Sequence, residues 1–202
     1  LAFGFDEDAD RVELVFDDES HTDGNHVLAL ACDAVLSKLP EGQVVVTNDA
    51  TSGVVKEVCE GHGAKVEEAE VGEINVVDAM YKRKSPVGGE GSNGGVILPP
   101  SRCRDGILTC LLLLWLQEKK KSSLKELVKE LPQYISLRAA ETAEPDQVPL
   151  MRTRLRDYFK KKGDTVQLQG DALGSVKIIR GKNWLFYRAS RTEPGLFRII
   201  AD

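Results

Sequence analysis

A short segment near the C-terminus reads Arg188-Ala189-Ser190-Arg191-Thr192-Glu193-Pro194, between two strand-like apolar runs at residues 183–187 and 196–200. A loop between strands that carries guanidinium forks, hydroxyls and backbone N–H groups suits a phosphate dianion. A polar hairpin turn with scattered arginines is the alternative. The loop by itself does not decide between the two interpretations.

The segments around this loop predict a small α+β domain with an antiparallel sheet, which we assign to residues 133–202 beyond Pro132. The pattern predicts one helix at residues 148–162 and strands at 134–138, 165–168, 175–179, 184–188 and 197–200.

Upstream of Pro132, short strands alternate with helices, which predicts an α/β domain with three layers and a mostly parallel sheet at residues 17–132. Residues 44–47 form an apolar strand of the kind that is covered on both faces. Leucines surround the helix at 107–117, so we expect that helix to be buried. Residues 1–16 are predicted to end a preceding domain. The candidate helix N-caps are Asp23 or Asn25, Thr51 or Ser52, and Ser122 or Ser123.

An acidic loop, Asp6-Glu7-Asp8-Ala9-Asp10-Arg11, follows a strand at residues 1–5. Alternating aspartates can direct several carboxylate oxygens at one cation, and oxygen ligands favour Mg²⁺ over softer metals. An EF-hand is excluded because its sixth and twelfth positions, which need Gly and Glu, are Arg11 and Asp17. A solvated acidic turn remains the alternative.

A third loop contains five glycines in eight residues, Gly88-Gly89-Glu90-Gly91-Ser92-Asn93-Gly94-Gly95. The Glu90 carboxylate can accept two adjacent sugar hydroxyls, and Ser92 and Asn93 can donate or accept beside it. The structural alternative is a glycine hairpin that leads into a strand at residues 96–98.

In this order and at these separations, the three loops resemble the signature loops of the α-D-phosphohexomutases, a family that includes phosphoglucomutases, phosphomannomutases and phosphoglucosamine mutases. The family patterns are Asp-Gly-Asp-x-Asp-Arg, Gly-Glu-x-Ser and Arg-x-Ser-Gly-Thr-Glu-Pro. Here Glu7 and Arg191 stand where glycine is usual, so a positive φ at Glu7 would be strained. One extra residue also precedes Arg198, and a one-residue shift would turn its side chain to the other face of the strand.

The resemblance implies a reversible 1,6 phosphoryl transfer on a hexose phosphate, through a phosphoserine and a hexose 1,6-bisphosphate intermediate. The hexose (glucose, mannose or glucosamine) stays open. The implied roles fall into four groups: Asp6, Asp8 and Asp10 hold Mg²⁺; Arg11 reaches the substrate as the catalytic residue; Glu90, Ser92 and Asn93 bind the sugar; and Arg188, Ser190, Arg191, Thr192 and Arg198 bind phosphate. In the family the phosphoserine loop lies well upstream of the metal loop, so the expected partners are N-terminal domains of the same protein, without which this chain is inactive. The alternative is a sugar-phosphate binding module or half of a split enzyme.

Composition excludes some other classes of function. The net charge of −5 argues against a general nucleic-acid binder. The longest apolar run, at residues 107–116, is too short to span a bilayer. Four cysteines without paired metal spacing indicate a reducing compartment, so we expect a cytoplasmic protein with no membrane partner.

Overall fold

The computed structural model describes residues 1–92, 94–191 and 193–202, apart from the side chain of Pro145. These residues form two compact units, Leu1–Gln133 and Tyr134–Asp202. The assignment of residues 1–16 to a preceding domain stays a prediction. None of the helices in the described ranges is long and apolar enough to cross a membrane.

The first unit contains an antiparallel hairpin and a four-stranded mixed sheet. The hairpin pairs β1 (Ala2–Phe5) with β2 (Val12–Val15). The sheet has the order β4-β3-β5-β6, in which β3 runs parallel to β4 and β5, and β6 runs antiparallel to β5. Its strands are β3 (Val44–Asn48), β4 (Lys65–Ala69), β5 (Gly88–Gly89) and β6 (Val96–Ile97).

Among the residues that the structure describes, the helices of this unit are α1 (Gly24–Leu36), α2 (Gly53–Gly61), α3 (Glu73–Arg83), α4 (Gly106–Lys120) and α5 (Leu124–Glu130). Side-chain oxygens accept backbone N–H groups that the first turn of a helix leaves unpaired. Among the alternatives, Asp23 caps α1, Ser52 caps α2, and Ser123 caps α5 through a capping box with Glu126.

The core of the first unit lies where apolar helix faces meet the central strand. Val45 and Val46 are fully buried on β3, which confirms a strand covered on both faces. Val46 packs with Ile97 of β6 and with Val76, Val77 and Met80 of α3. Because strand neighbours point to opposite faces, burial of two successive valines requires packing on each side of the sheet.

The second unit is an antiparallel sheet of order β7-β11-β10-β9-β8 that is accompanied by the long helix α6. Its elements are β7 (Leu137–Thr142), a 3-10 turn (Pro145–Gln147), α6 (Val148–Lys161), β8 (Thr165–Leu168), β9 (Val176–Arg180), β10 (Asn183–Ala189) and β11 (Leu196–Ala201). The predicted class, a mostly parallel α/β unit followed by a small antiparallel α+β unit, is confirmed.

Two details of the sequence prediction are wrong. The strand predicted at residues 134–138 is displaced to β7, because pairing with β11 selects a segment whose own residues are all exposed and weakly strand-forming. Helix α4 is not buried on every side: Leu113 and Leu116 are buried, whereas Ile107 and Leu111 are about three-fifths exposed. Leucine on all faces of a helix therefore does not establish that all faces are covered.

Candidate functional site

The acidic loop between β1 and β2 brings its three aspartates together. One carboxylate oxygen each from Asp6, Asp8 and Asp10 lies within 4.8 Å of the others. The chain turns tightly here, and Ala9 has a positive φ of 56°. Glu7 is not among the residues with positive φ, so the strain expected at Glu7 does not arise and the unusual backbone falls at Ala9 instead.

The electrostatics of this loop reflect crowded carboxylates. Burial raises the pKa of Asp10, with the nearby Asp6 charge adding to the effect and Arg104 opposing it. Some desolvation acts on Asp6 as well, but the Arg11 backbone N–H, the Asp10 carboxyl and the Arg11 guanidinium lower the pKa of Asp6 overall. The Arg11 Nε lies 3.2 Å from Asp6 and 3.5 Å from Asp10. Arg11 therefore partly neutralises a cluster whose remaining negative charge suits a divalent cation.

The Oδ1 atom of Asp10 adds a separate indication. It is buried and accepts no hydrogen bond from the described residues, and the 3.5 Å contact with the Nε of Arg11 is to this atom. A buried carboxylate oxygen normally has a partner, and a cation between the aspartates would supply one. The donor set, which contains only carboxylate oxygens, fits Mg²⁺ better than a softer metal.

The glycine-rich loop is the turn region of the β5–β6 hairpin, and Glu90 is its buried carboxylate. Glu90 is 5% exposed. Its Oε1 accepts hydrogen bonds from the Asn48 side chain at 2.8 Å and from the Gly72 backbone N–H at 2.9 Å. Ser92 lies in the turn that follows, while Asn93 falls outside the described residues. The segment is therefore a glycine-rich hairpin, and the same hairpin holds Glu90 among polar partners.

Glycines allow this loop to lie directly on the metal loop. A Cβ at Gly95 would stand 2.0 Å from the Asp10 carbonyl oxygen, and one at Gly94 would stand 2.1 Å from the Val12 carbonyl oxygen. Gly94 also has a φ of +67°. Any side chain at these positions would push the two loops apart. The glycines therefore serve close backbone approach as well as turning.

Arg104 joins the two loops and was missed in the sequence prediction. This buried guanidinium lies 2.5 Å from Asp10 through Nη2, 3.3 Å from Glu90 through Nη1, and 2.8 Å from Glu73 through Nε. The residue directly precedes Asp105, the N-cap of α4. The available signal was an arginine at the start of a strongly apolar helix, where burial would require carboxylate partners. Its partners are 14 and 94 residues away in the case of Glu90 and Asp10, so no local pattern could name them.

In the second unit, the candidate phosphate loop joins β10 to β11. Arg188 and Arg198 are directly paired residues of these antiparallel strands. Paired residues point to the same face of a sheet, so the two guanidinium groups share one face. The extra residue before Arg198 therefore does not turn this side chain away from Arg188. Lys177 on β9 pairs with Phe186, two residues from Arg188, and joins the same face.

The loop's remaining polar groups hold one another. Arg198 contacts Glu193 at 2.9 Å, and the Ser190 hydroxyl accepts the Glu193 backbone N–H at 3.1 Å. Arg191, which replaces the usual glycine, forms two contacts of 3.2 Å with Asp171 outside the loop. Thr192 falls outside the described residues. The structure thus brings Arg188 and Arg198 together and directs Arg191 to Asp171.

Comparison with known proteins identifies related chains. A family model described as phosphoglucomutase/phosphomannomutase, alpha/beta/alpha domain III, matches residues 23–135. The curated phosphoglucomutase/phosphomannomutase of Thermococcus kodakarensis is 33% identical over 99% of this chain and 43% of its own length. A probable phosphoglucosamine mutase of Methanopyrus kandleri is also 33% identical, over all of this chain and 43% of its own length.

A solved structure extends the likeness to both units. A putative phosphomannomutase from Thermus thermophilus is 26% identical and superimposes with a TM-score of 0.66, over 98% of this chain and 41% of that one. The chain spans less than half the length of the relatives it matches.

Proposed function

This chain belongs to the phosphoglucomutase/phosphomannomutase family, and on that premise we propose that it supplies the metal-, sugar- and phosphate-binding portion of a phosphohexomutase. The whole protein would catalyse reversible 1,6 phosphoryl transfer on a hexose phosphate by way of a phosphoserine and a hexose 1,6-bisphosphate. The observation that carries the proposal is the gathering of the Asp6, Asp8 and Asp10 oxygens within 4.8 Å.

The metal loop would hold Mg²⁺ through Asp6, Asp8 and Asp10. When bound, the ion would neutralise charge on the phosphoryl group that leaves or arrives at the serine. Arg11, whose side chain is 48% exposed beside these aspartates, can swing toward a substrate phosphate without leaving a buried site. A guanidinium is suited to that role because it presents several donors in a rigid fork.

The sugar loop would orient the hexose. The 3.3 Å contact between Oε2 of Glu90 and Arg104 is longer than the hydrogen bonds that Oε1 accepts, so Oε2 loses least when it accepts a sugar hydroxyl. Ser92, which lies in the turn after Glu90, and Asn93, the next residue in the sequence, would add further hydrogen bonds. Glucose, mannose and glucosamine phosphates differ at one substituent, which is worth a few kcal/mol at most in such a site. The proposal therefore names the substrate class and leaves the hexose open.

The second unit would hold the phosphate that does not react. Arg188 and Arg198 share one sheet face, and two guanidinium forks on one face can bind one dianion. Phosphate binding would draw Arg198 away from Glu193 at little cost, because both side chains are 58% exposed. Ser190 and Thr192 would supply hydroxyl donors. Arg191 would join them only after leaving Asp171.

Direct binding measurements test the proposal on the 202-residue chain. We expect Mn²⁺, as a paramagnetic substitute for Mg²⁺, to bind the wild-type chain and to bind an Asp8→Asn variant at least about 10-fold more weakly. We expect glucose 6-phosphate, mannose 6-phosphate or glucosamine 6-phosphate to perturb NMR signals of the phosphate loop. Absence of both responses would leave an α/β protein with degenerate loops.

Turnover separates the enzyme portion from its alternative. The chain contains no Ser-His-Asn-Pro-like segment to serve as the phosphoserine loop, so we expect no mutase activity from these residues alone. Metal-dependent turnover by this chain would refute that expectation. The alternative is a sugar-phosphate binding module or half of a split enzyme, and the coding sequence upstream of Leu1 decides between them: a serine loop in the same reading frame identifies the enzyme. The four free cysteines support a reducing, cytoplasmic location.

A further inference from the structure

We propose that Arg104 is a positioning residue that holds the metal loop and the sugar loop in one arrangement and thereby sets the affinity of the site for a divalent cation. This inference rests on the proposed function, because it assumes that Asp10 is a metal ligand. Arg104 is not one of the residues that the three signature loops contain. It lies between them, at the start of α4.

The contacts of Arg104 account for this role. Arg104 donates hydrogen bonds from Nη2 to Asp10 and from Nη1 to Glu90, and its Nε forms a 2.8 Å ion pair with Glu73. A guanidinium is planar and rigid, so its partners can be satisfied together only if each carboxylate keeps its place around that plane. The Arg104 side chain is 8% exposed, which limits its own movement. The metal loop, the start of α3 and the sugar loop are therefore held by one group.

Arg104 also sets the orientation of the Asp10 carboxylate. Arg104 contacts the Oδ2 atom of Asp10 at 2.5 Å. The other oxygen, Oδ1, is buried and accepts no hydrogen bond from the described part of the chain, and it lies 3.5 Å from the Nε of Arg11, whose half-exposed side chain can move aside. Holding one oxygen fixes the rotation of the carboxylate, so that the second oxygen is presented to a cation shared with Asp6 and Asp8. Partners that orient metal ligands in this way typically contribute about 10- to 100-fold in metal affinity.

Glu73 and Glu90 in turn hold Arg104 in position. Each anchors one edge of the guanidinium, and Glu90 is itself fixed by Asn48 and Gly72. A change at either glutamate should therefore reach the metal loop through Arg104. Removal of a charge near the aspartates also has simple Coulombic consequences for cation binding, which a positioning role does not share. A charge-conserving substitution separates geometry from charge.

The decisive variant is Arg104→Lys, measured by titration with Mn²⁺ and detection of free Mn²⁺ by EPR. The lysine ammonium keeps the positive charge, but its single nitrogen cannot contact all three carboxylates, which in the wild type lie against three different nitrogens of Arg104. We expect Mn²⁺ to bind at least about 10-fold more weakly. The matched control is Arg83→Lys, which alters an exposed ion pair to Glu67 in the same unit and should leave the affinity unchanged. Equal affinity of wild type and Arg104→Lys would overturn the inference.

A second variant covers the case in which Arg104→Lys does not fold. Glu73 is about a quarter exposed, and Glu73→Asp keeps its charge but shortens the side chain by one methylene, which weakens one anchor of Arg104. We expect weaker Mn²⁺ binding than in wild type and a smaller loss than in Arg104→Lys. Unchanged or tighter binding in Glu73→Asp would overturn the inference on its own. Failure of the wild-type chain to bind Mn²⁺ would instead refute the metal site of the proposed function.

Discussion

Replacement of Glu90 by glutamine tests the stability of the polar centre independently of any activity. Glu90 is the most buried of the carboxylates around Arg104, at 5% exposure. Its Oε1 accepts from Asn48 and Gly72, and its Oε2 faces Arg104 at 3.3 Å. Glutamine has the same shape but carries one acceptor and one donor group. The substitution therefore preserves the size and shape of the side chain, removes its negative charge and replaces one acceptor oxygen with a donor group.

The magnitude follows from these contacts. If the glutamine oxygen keeps the two donors, its amide must face the Arg104 guanidinium, and a donor then opposes a donor. The loss of a hydrogen bond to a charged group costs about 1.5–3 kcal/mol, and a buried donor without an acceptor costs about 1–3 kcal/mol more. Arg104 retains Asp10 and Glu73, which limits the total to about 2–4 kcal/mol.

The assay is urea unfolding of the first unit. The chain contains two tryptophans, Trp115 in α4 and Trp184 in the second unit. A Trp184→Phe background leaves Trp115 as the reporter of the first unit. The control is Glu67→Gln, which removes an exposed partner of Arg83 and should cost less than about 1 kcal/mol.

Two results would refute this reasoning. One is a loss in the free energy of unfolding for Glu90→Gln that is no larger than the loss for Glu67→Gln, with an unchanged slope of that free energy against urea concentration. The other is an undiminished cost in an Arg104→Lys background, because most of the cost should disappear once Arg104 no longer holds Glu90 in place.

Three further predictions concern packing, capping and the phosphate loop. Leu113→Ala should destabilise the first unit by about 2–5 kcal/mol in urea, whereas Leu111→Ala should change it by less than about 0.5 kcal/mol, because Leu113 is fully buried and Leu111 is 60% exposed. Burial raises the pKa of Asp23, but hydrogen bonds from His26 outweigh burial and lower this pKa from 3.8 to about 2. The ionised Asp23 therefore stabilises the folded state fully above pH 3.8, and this contribution is lost as the pH falls towards 2. Asp23→Asn should keep the cap and flatten that acid dependence in thermal unfolding between about pH 5 and 2, and an equally steep dependence would contradict the assignment. Arg191→Gly should weaken the binding of glucose 6-phosphate in calorimetry, because the exposed contact with Asp171 is weak enough for Arg191 to join the phosphate, and an unchanged affinity would show that Arg191 stays with Asp171.

Local chemistry can be predicted from the amino-acid sequence alone. The spacing of Asp6, Asp8 and Asp10 limited their carboxylates to one short turn, and the structure gathers their oxygens there. Apolar residues 44–47 predicted the covered strand β3, and hydroxyl or carboxylate residues before apolar periods predicted the helix starts. These features depend on residues that are close in the sequence, so the local sequence is enough to predict them.

The meeting of distant groups depends on tertiary packing. β7 is selected by its pairing with β11 rather than by its own composition, and the face of Arg198 is set by its register with Arg188. Arg104 gains its role because the fold brings together carboxylates from positions 10, 73 and 90. A buried cation can be stable only beside such partners, yet its partners are chosen by how strands and helices pack across the whole unit, and no local period encodes that choice.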